Sequence, residues 1–239
     1  MVKSKFTYDS NTYDTIENLR FIQTTFVIRT ITTLFWQFLF TFGMVTLTVY
    51  NQTLNTFITL YMNKLLLLGF IGSFGTLVYI INSSPKTILQ LSLFTIFETM
   101  LLCAFSALQE PETIIVSTVV TFGLTIGLGI YALTTKHNYT NLISFLSSIL
   151  LCLFVMSMSN IWLKNEFLDN MEPYIGTILF LGYIIVDVQY FLHKHVSESE
   201  YDINDLHIIA SINIYLDVLN IFLRLVEIFA KNKNNKKKE

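Results

Sequence analysis

Three carboxylic acids, Glu98, Asp187 and Asp217, stand inside apolar runs long enough to cross a membrane. A charged side chain at a bilayer centre costs about 2.5–3.5 kcal/mol on insertion scales. Such groups therefore serve ion or proton pathways, or else pack as protonated or hydrogen-bonded residues. The surroundings of the two aspartates favour the first use. Asn213, Asp217, Asn220 and Arg224 recur at i, i+4, i+7 and i+11, a polar stripe down an apolar helix with Glu227 at its border. A helix carrying such a stripe must line a bundle interior or an aqueous path. Tyr183, Asp187 and Tyr190 share a face in the same way, which predicts two hydroxyls flanking a carboxylate. If the two faces meet, Asp187 and Asp217 form a buried pair that shares one proton and titrates as a unit. The protonated pair ties its helices by a hydrogen bond. Without the proton the charges repel, and either separation or a cation relieves the repulsion.

Oxygen-only ligands suit a hard cation such as Ca²⁺, and two carboxylates suit weak binding and passage more than storage. The resulting expectation is a proton-sensitive cation leak with no cofactor and no catalysis. Glu98 is divided between a pore role and packing. Asn204-Asp205 reads as an N-cap and a first-turn acid, with Asp205 at the mouth of an ion path as the alternative. His193-x-His195 has the form of a metal pair but, beside Lys194, reads as plain surface. Asn51-Gln-Thr, Asn82-Ser-Ser and Asn138-Tyr-Thr match the glycosylation acceptor pattern.

The elements that must hold these residues follow from composition. Of 239 residues, 53% are hydrophobic and only 13% charged, with net charge -2 and mean hydropathy +0.56. A water-soluble domain of this size could not cover so much apolar surface. A bilayer core about 30 Å thick takes roughly 20 apolar helical residues. Seven segments qualify: Ile28–Tyr50, Leu65–Ile81, Thr87–Leu108, Thr113–Thr134, Tyr139–Trp162, Tyr174–Leu192 and Ile208–Phe229. Backbone groups in lipid must bond within the segment, so the fold class is all-α, a polytopic membrane helix bundle. Polar breaks at Asn82-Ser83-Ser84-Pro85, Glu110-Pro111-Glu112, Lys136-His137-Asn138 and Glu172-Pro173 separate the runs.

The chain thus divides into a polar N-terminal segment (1–27), a transmembrane bundle (28–230) and a basic tail (231–239). The lysines of that tail read as solvated or drawn to anionic lipid. The polar start rules out a cleavable signal peptide and predicts an uncleaved first anchor. Cys103 and Cys152 lie in apolar runs with no disulfide or metal spacing. No basic face interleaves with aromatics, so nucleic acid is excluded as a partner. Gly69, Gly72 and Gly75, and the Gly123-x-x-x-Gly127 step, predict close helix packing within the chain more than between copies. Basic residues near both termini favour two cytosolic ends, which requires one segment, most plausibly the last, to be re-entrant or half-crossing.

Other seven-helix chemistries lack their marks. An intramembrane aspartyl protease needs G-x-G-D, but Gly127-Leu-Gly129 is followed by Ile130 and Asp217 is preceded by Tyr215-Leu216. A receptor would carry N-P-x-x-Y near its end, which is missing. A non-conducting scaffold that binds regulatory proteins remains the alternative, with an aspartyl protease lacking this signature a lesser one.

Ile184-Ile-Val-Asp-Val-Gln189 and Ser211-Ile-Asn-Ile-Tyr-Leu-Asp-Val-Leu-Asn-Ile-Phe-Leu223 resemble the sixth- and seventh-helix signatures of the transmembrane Bax inhibitor motif family. Leu128-Gly-Ile-Tyr-Ala-Leu-Thr-Thr-Lys-His-Asn-Tyr-Thr140 and Phe97-Glu-Thr are similar to further stretches of it. Within the family the chain looks most like the Golgi anti-apoptotic branch, poxvirus-encoded members included. The resemblance implies a seven-helix bundle with the last helix central. It also implies a Golgi or endoplasmic reticulum protein that leaks Ca²⁺ from stores and restrains apoptosis. The family's paired aspartates carry over to Asp187 and Asp217 and its third-helix acid to Glu98. Val186 replaces the usual tyrosine, and the longer, more acidic Lys194–His207 connection puts the pore-mouth acid at Asp205 in doubt.

Overall fold

The computed structural model describes residues 10–191 and 203–236, with side chains placed over 23–191 and 205–233. The chain forms α1 (Ser10–Tyr50), α2 (Gln52–Leu60), α3 (Met62–Asn82), α4 (Ile88–Ser106) and α5 (Pro111–Thr134), then α6 (Ile143–Leu163), α7 (Glu166–Gln189) and α8 (Ile203–Lys236). No strand occurs among the described residues. All but α2 are long and apolar enough to cross a membrane, and they fall on the seven expected segments. Thr87 opens α4 with a full capping box to Gln90, and Pro111 takes the first position of α5, where a missing N–H costs nothing.

The short α2 was not foreseen. Asn51 starts it by accepting from the Leu54 N–H at 3.1 Å, and Asn55 ties it to the Ala107 carbonyl after α4 at 3.1 Å. Asn51 therefore caps a helix, while Asn82 donates to the Val78 carbonyl and Asn138 accepts from Thr140.

α8 is the centre of the bundle: 72% of its apolar window is buried, against 6% for α6, which lies outside against α7. Helices α1, α5 and α7 surround α8. The directions follow from contacts. Gln37 donates to Thr95 (2.9 Å) and Thr41 meets Thr99 (2.9 Å), so equal steps along α1 and α4 run the same way. Asp205 binds the Lys86 N–H just before α4, and Lys233 pairs with Glu110 just after it, so α8 is parallel to both. The start of α1 and the end of α8 therefore lie at opposite ends of the bundle. The last segment is one uninterrupted helix of 34 residues, not a re-entrant or half-crossing element. Two cytosolic ends do not follow from this arrangement.

Three further expectations are corrected. Glu172-Pro173 does not break the chain; α7 begins at Glu166 and carries Pro173 in its interior. Proline leaves the carbonyl four residues earlier without its helical donor. That carbonyl, Asp169 O, accepts instead from Lys231 Nζ at 2.6 Å. Gly123 and Gly127 make no close packing within the chain, since a Cβ at either would meet nothing within 4 Å. Close packing is found at Gly69 and Gly72, whose added Cβ would strike Leu101 and the Phe97 ring, while Gly75 is open. Finally, α8 starts at Ile203, so Asn204 lies inside the first turn and does not cap it.

Candidate functional site

Asp187, near the end of α7, and Asp217, midway along α8, are 8% and 7% exposed. α7 and α8 form one of the two most extensive helix contacts in the bundle, and the charge of Asp187 acts directly on Asp217 across it. The two acids expected to pair are thus both buried on helices that pack against each other. Asp217 Oδ2 is buried and has no hydrogen-bond partner among the described residues. A buried acceptor left in that state costs about 1–3 kcal/mol, which a proton, water or cation there would offset. Among the described residues no group of three or more histidine, cysteine, aspartate and glutamate side chains converges.

The supporting residues behave less uniformly. Tyr183 does not flank Asp187: its hydroxyl donates to Ser147 of α6 at 3.2 Å. Tyr190 packs edge-on to Phe191 beside Phe26, Leu206 and Ala210. Asn220 turns back on its own helix, donating to the Leu216 carbonyl at 2.8 Å. Asn213 is half-buried on α8. Arg224 does not line an open path; its Nη1 reaches Glu172 of α7 at 3.0 Å and Glu227 at 3.6 Å, with Gly176 leaving room for its stem. Lys231 pairs with Glu227, and Lys233 with Glu110 and Glu112, so the start of the basic tail is helical and ion-paired.

Glu98 faces elsewhere. It is half-buried on α4 and accepts a hydrogen bond from Ser73 of α3. Asp205 is a buried first-turn acid that spends both oxygens on the α3–α4 connection, accepting from the Lys86 N–H at 2.6 Å and from Ser84 at 3.3 Å. His193 and His195 lie outside the described residues.

Several contributors were not singled out in the sequence. The fully buried Tyr215 hydroxyl meets Thr41 at 2.8 Å, and Thr41 meets Thr99, a polar seam joining α8 to α1 and α4. Glu172 is the counter-ion of Arg224. Gln189, two residues after Asp187, accepts from the Tyr139 N–H (2.7 Å) and donates to the His137 carbonyl (2.9 Å), fastening the α5–α6 connection to the end of α7.

A bundle of seven apolar helices with the last of them at its centre, and two carboxylates buried where α7 and α8 meet, defines a multi-pass membrane protein with acids inside its bundle. The family described as inhibitor of apoptosis-promoting Bax1 matches residues 23–234, and the chain belongs to it. The chain is 28% identical over 195 residues to the Golgi anti-apoptotic protein of Vaccinia virus (strain Lister), covering 80% of this chain and 79% of that protein. Protein lifeguard 4 of Mus musculus is 26% identical over 183 residues, covering 75% and 73%. Bax inhibitor 1 of Schizosaccharomyces pombe is 27% identical over 154 residues, covering 64% and 55%.

Proposed function

We propose that the protein is a proton-sensitive Ca²⁺ leak of Golgi or endoplasmic reticulum membranes that lowers store calcium and thereby inhibits apoptosis, without enzymatic activity. The observation that carries the ion reading is the facing pair Asp187 and Asp217 with one carboxylate oxygen buried and unpartnered. The printed names of the family and of the vaccinia relative support the anti-apoptotic role and the Golgi setting. With its shared proton the pair carries a single negative charge and a hydrogen bond that locks α7 to α8. Once that proton leaves, the charges repel and attract a hard cation. The other charged groups on this seam, Arg224, Glu172 and Glu227, are already paired with one another, and Glu98 faces α3. The aspartates are left as the titrating element, so flux should fall as the medium is acidified.

Reconstitution of the full chain in liposomes tests this. Ca²⁺ efflux across pH should be pH-dependent in the wild type and weaker and flatter in Asp187→Asn and Asp217→Asn. Absence of flux, or flux that both substitutions leave unchanged, would sink the channel and favour a non-conducting scaffold.

A further inference from the structure

The short α2 lies across one end of the bundle. α1 and α3 both pack on α4, and α2 carries the chain from the end of α1 to the start of α3. On the way, Asn55 Nδ2 donates to the Ala107 carbonyl that closes α4, so α2 passes over the end of that helix. At roughly 100° per residue, its 9 residues and the following Tyr61 divide into three sectors. Leu54 and Ile58 turn into the bundle core. Gln52, Thr56 and Thr59 form an exposed polar sector. Phe57, Leu60 and Tyr61 form an apolar one, in which Phe57 and Leu60 are 54% and 74% exposed. The Phe57 and Tyr61 rings meet at 4.9 Å between centroids, and Lys64 Nζ stands 5.7 Å from the centre of the Tyr61 ring. This face runs on by steps of three and four residues into Leu67, Leu68 and Ile71, the exposed side of the crossing helix α3. Tyr50 and Trp162, exposed at the ends of α1 and α6, are aromatics of the kind that gather at a headgroup boundary, and Glu110 and Lys164 follow the ends of α4 and α6. The bilayer boundary on this side therefore falls at the level of α2.

We infer that α2 is an interfacial helix that lies along the membrane plane. Phe57, Leu60 and Tyr61 enter the boundary between headgroups and acyl chains, Lys64 stands at the level of the lipid phosphates, and the polar sector stays in water. The bilayer is the occupant because the apolar sector continues the lipid-facing side of α3, and because an aromatic and leucine face edged by lysine is what helices in that boundary present. Held on one side by Asn55 and Ile58 and on another by lipid, α2 fixes the height of α1, α3 and α4 in the leaflet on the side where α8 ends. The inference is independent of whether the aspartate pair conducts.

Spin labels at exposed positions test this without disturbing the core. The full chain carrying Cys152→Ser loses its exposed cysteine and keeps the buried Cys103. It then receives one cysteine at a time, is labelled with a nitroxide and is reconstituted in phosphatidylcholine vesicles containing some phosphatidylglycerol. Collisions with oxygen, which concentrates in lipid, are compared with collisions with a water-soluble nickel chelate. Labels at Phe57→Cys and Leu60→Cys should meet oxygen several-fold more often than nickel, and those at Gln52→Cys and Thr59→Cys the reverse. Lys64→Cys should read between the two sets. Ile71→Cys, about 14 Å further along α3 than Met62, should favour oxygen most. Nickel prevailing at 57 and 60 would put α2 in water. Both reagents being shut out there would reveal a protein cover, a second copy included. An oxygen preference at 57 and 60 equal to that at 71 would sink α2 into the hydrocarbon core. Each of these three results overturns the inference.

Discussion

Asp217 and Tyr215 are two positions apart on α8 and so point to nearly opposite sides of it. One faces Asp187 of α7; the other bonds to Thr41 of α1. Tyr215→Phe removes a hydroxyl but leaves Thr41 bonded to Thr99, so the loss should be about 1 kcal/mol of stability. Asp217→Asn, which takes a like charge away from Asp187, should be neutral or stabilising. Thermal unfolding in detergent ranks the two, and the opposite order would contradict the placement of these side chains. Arg224→Ala leaves Glu172 without its cation at a site that is 28% and 12% exposed. Its cost should fall between the ~1 kcal/mol of a surface pair and the ~3–5 kcal/mol of a buried one. Combining it with Glu172→Gln should recover much of the loss, read from the same melting curves. The acid pair was legible because carboxylates in apolar runs have few uses. The Tyr215 seam was not, because a threonine in a helix can satisfy itself on the carbonyl four residues back, as Thr30 and Thr46 do here. Nothing local distinguishes those from Thr41. Tyr183 was misjudged for a related reason: register places it on the face of Asp187, but a side chain that long carries its hydroxyl to α6.

Apolar length identified all seven crossing helices within a few residues, except where a proline intervened. Pro173 looked like a boundary because the sequence does not show that Lys231, 58 positions later, takes up the freed carbonyl. Glycine spacing was equally double-edged. A Cβ added at Gly72 would run into the Phe97 ring, whereas one at Gly75 would meet nothing within 4 Å. Gly72→Ala should therefore cost about 1–3 kcal/mol as α3 is pushed from α4. Gly75→Ala should be neutral or slightly stabilising, since alanine favours the helix. Equal melting temperatures for the two would show that α3 does not pack as described. The α2 helix escaped notice because its 9 residues fall far below any spanning length.

For the molecule as a whole, seven passes with α1 and α8 parallel require the start of α1 and the end of α8 to lie on opposite faces of the membrane. Epitope tags at the N- and C-termini should differ in protease accessibility in sealed vesicles. Tags cleaved together from outside would refute the parallel arrangement. The sequence had suggested otherwise because charge counting weighs both basic ends alike, while the direction of each helix is set by contacts that only folding reveals.

That polarity has a bearing on what the cytosol can reach. Of its two charged extremities, only one can be read by machinery in the cytosol, and the other meets the interior of the compartment. If the first helix enters from the cytosol, Lys231 and Lys233 near the end of α8 sit on the far side, and the ion pairs they make with Glu227, Glu110 and Glu112 are then beyond the reach of any cytosolic partner.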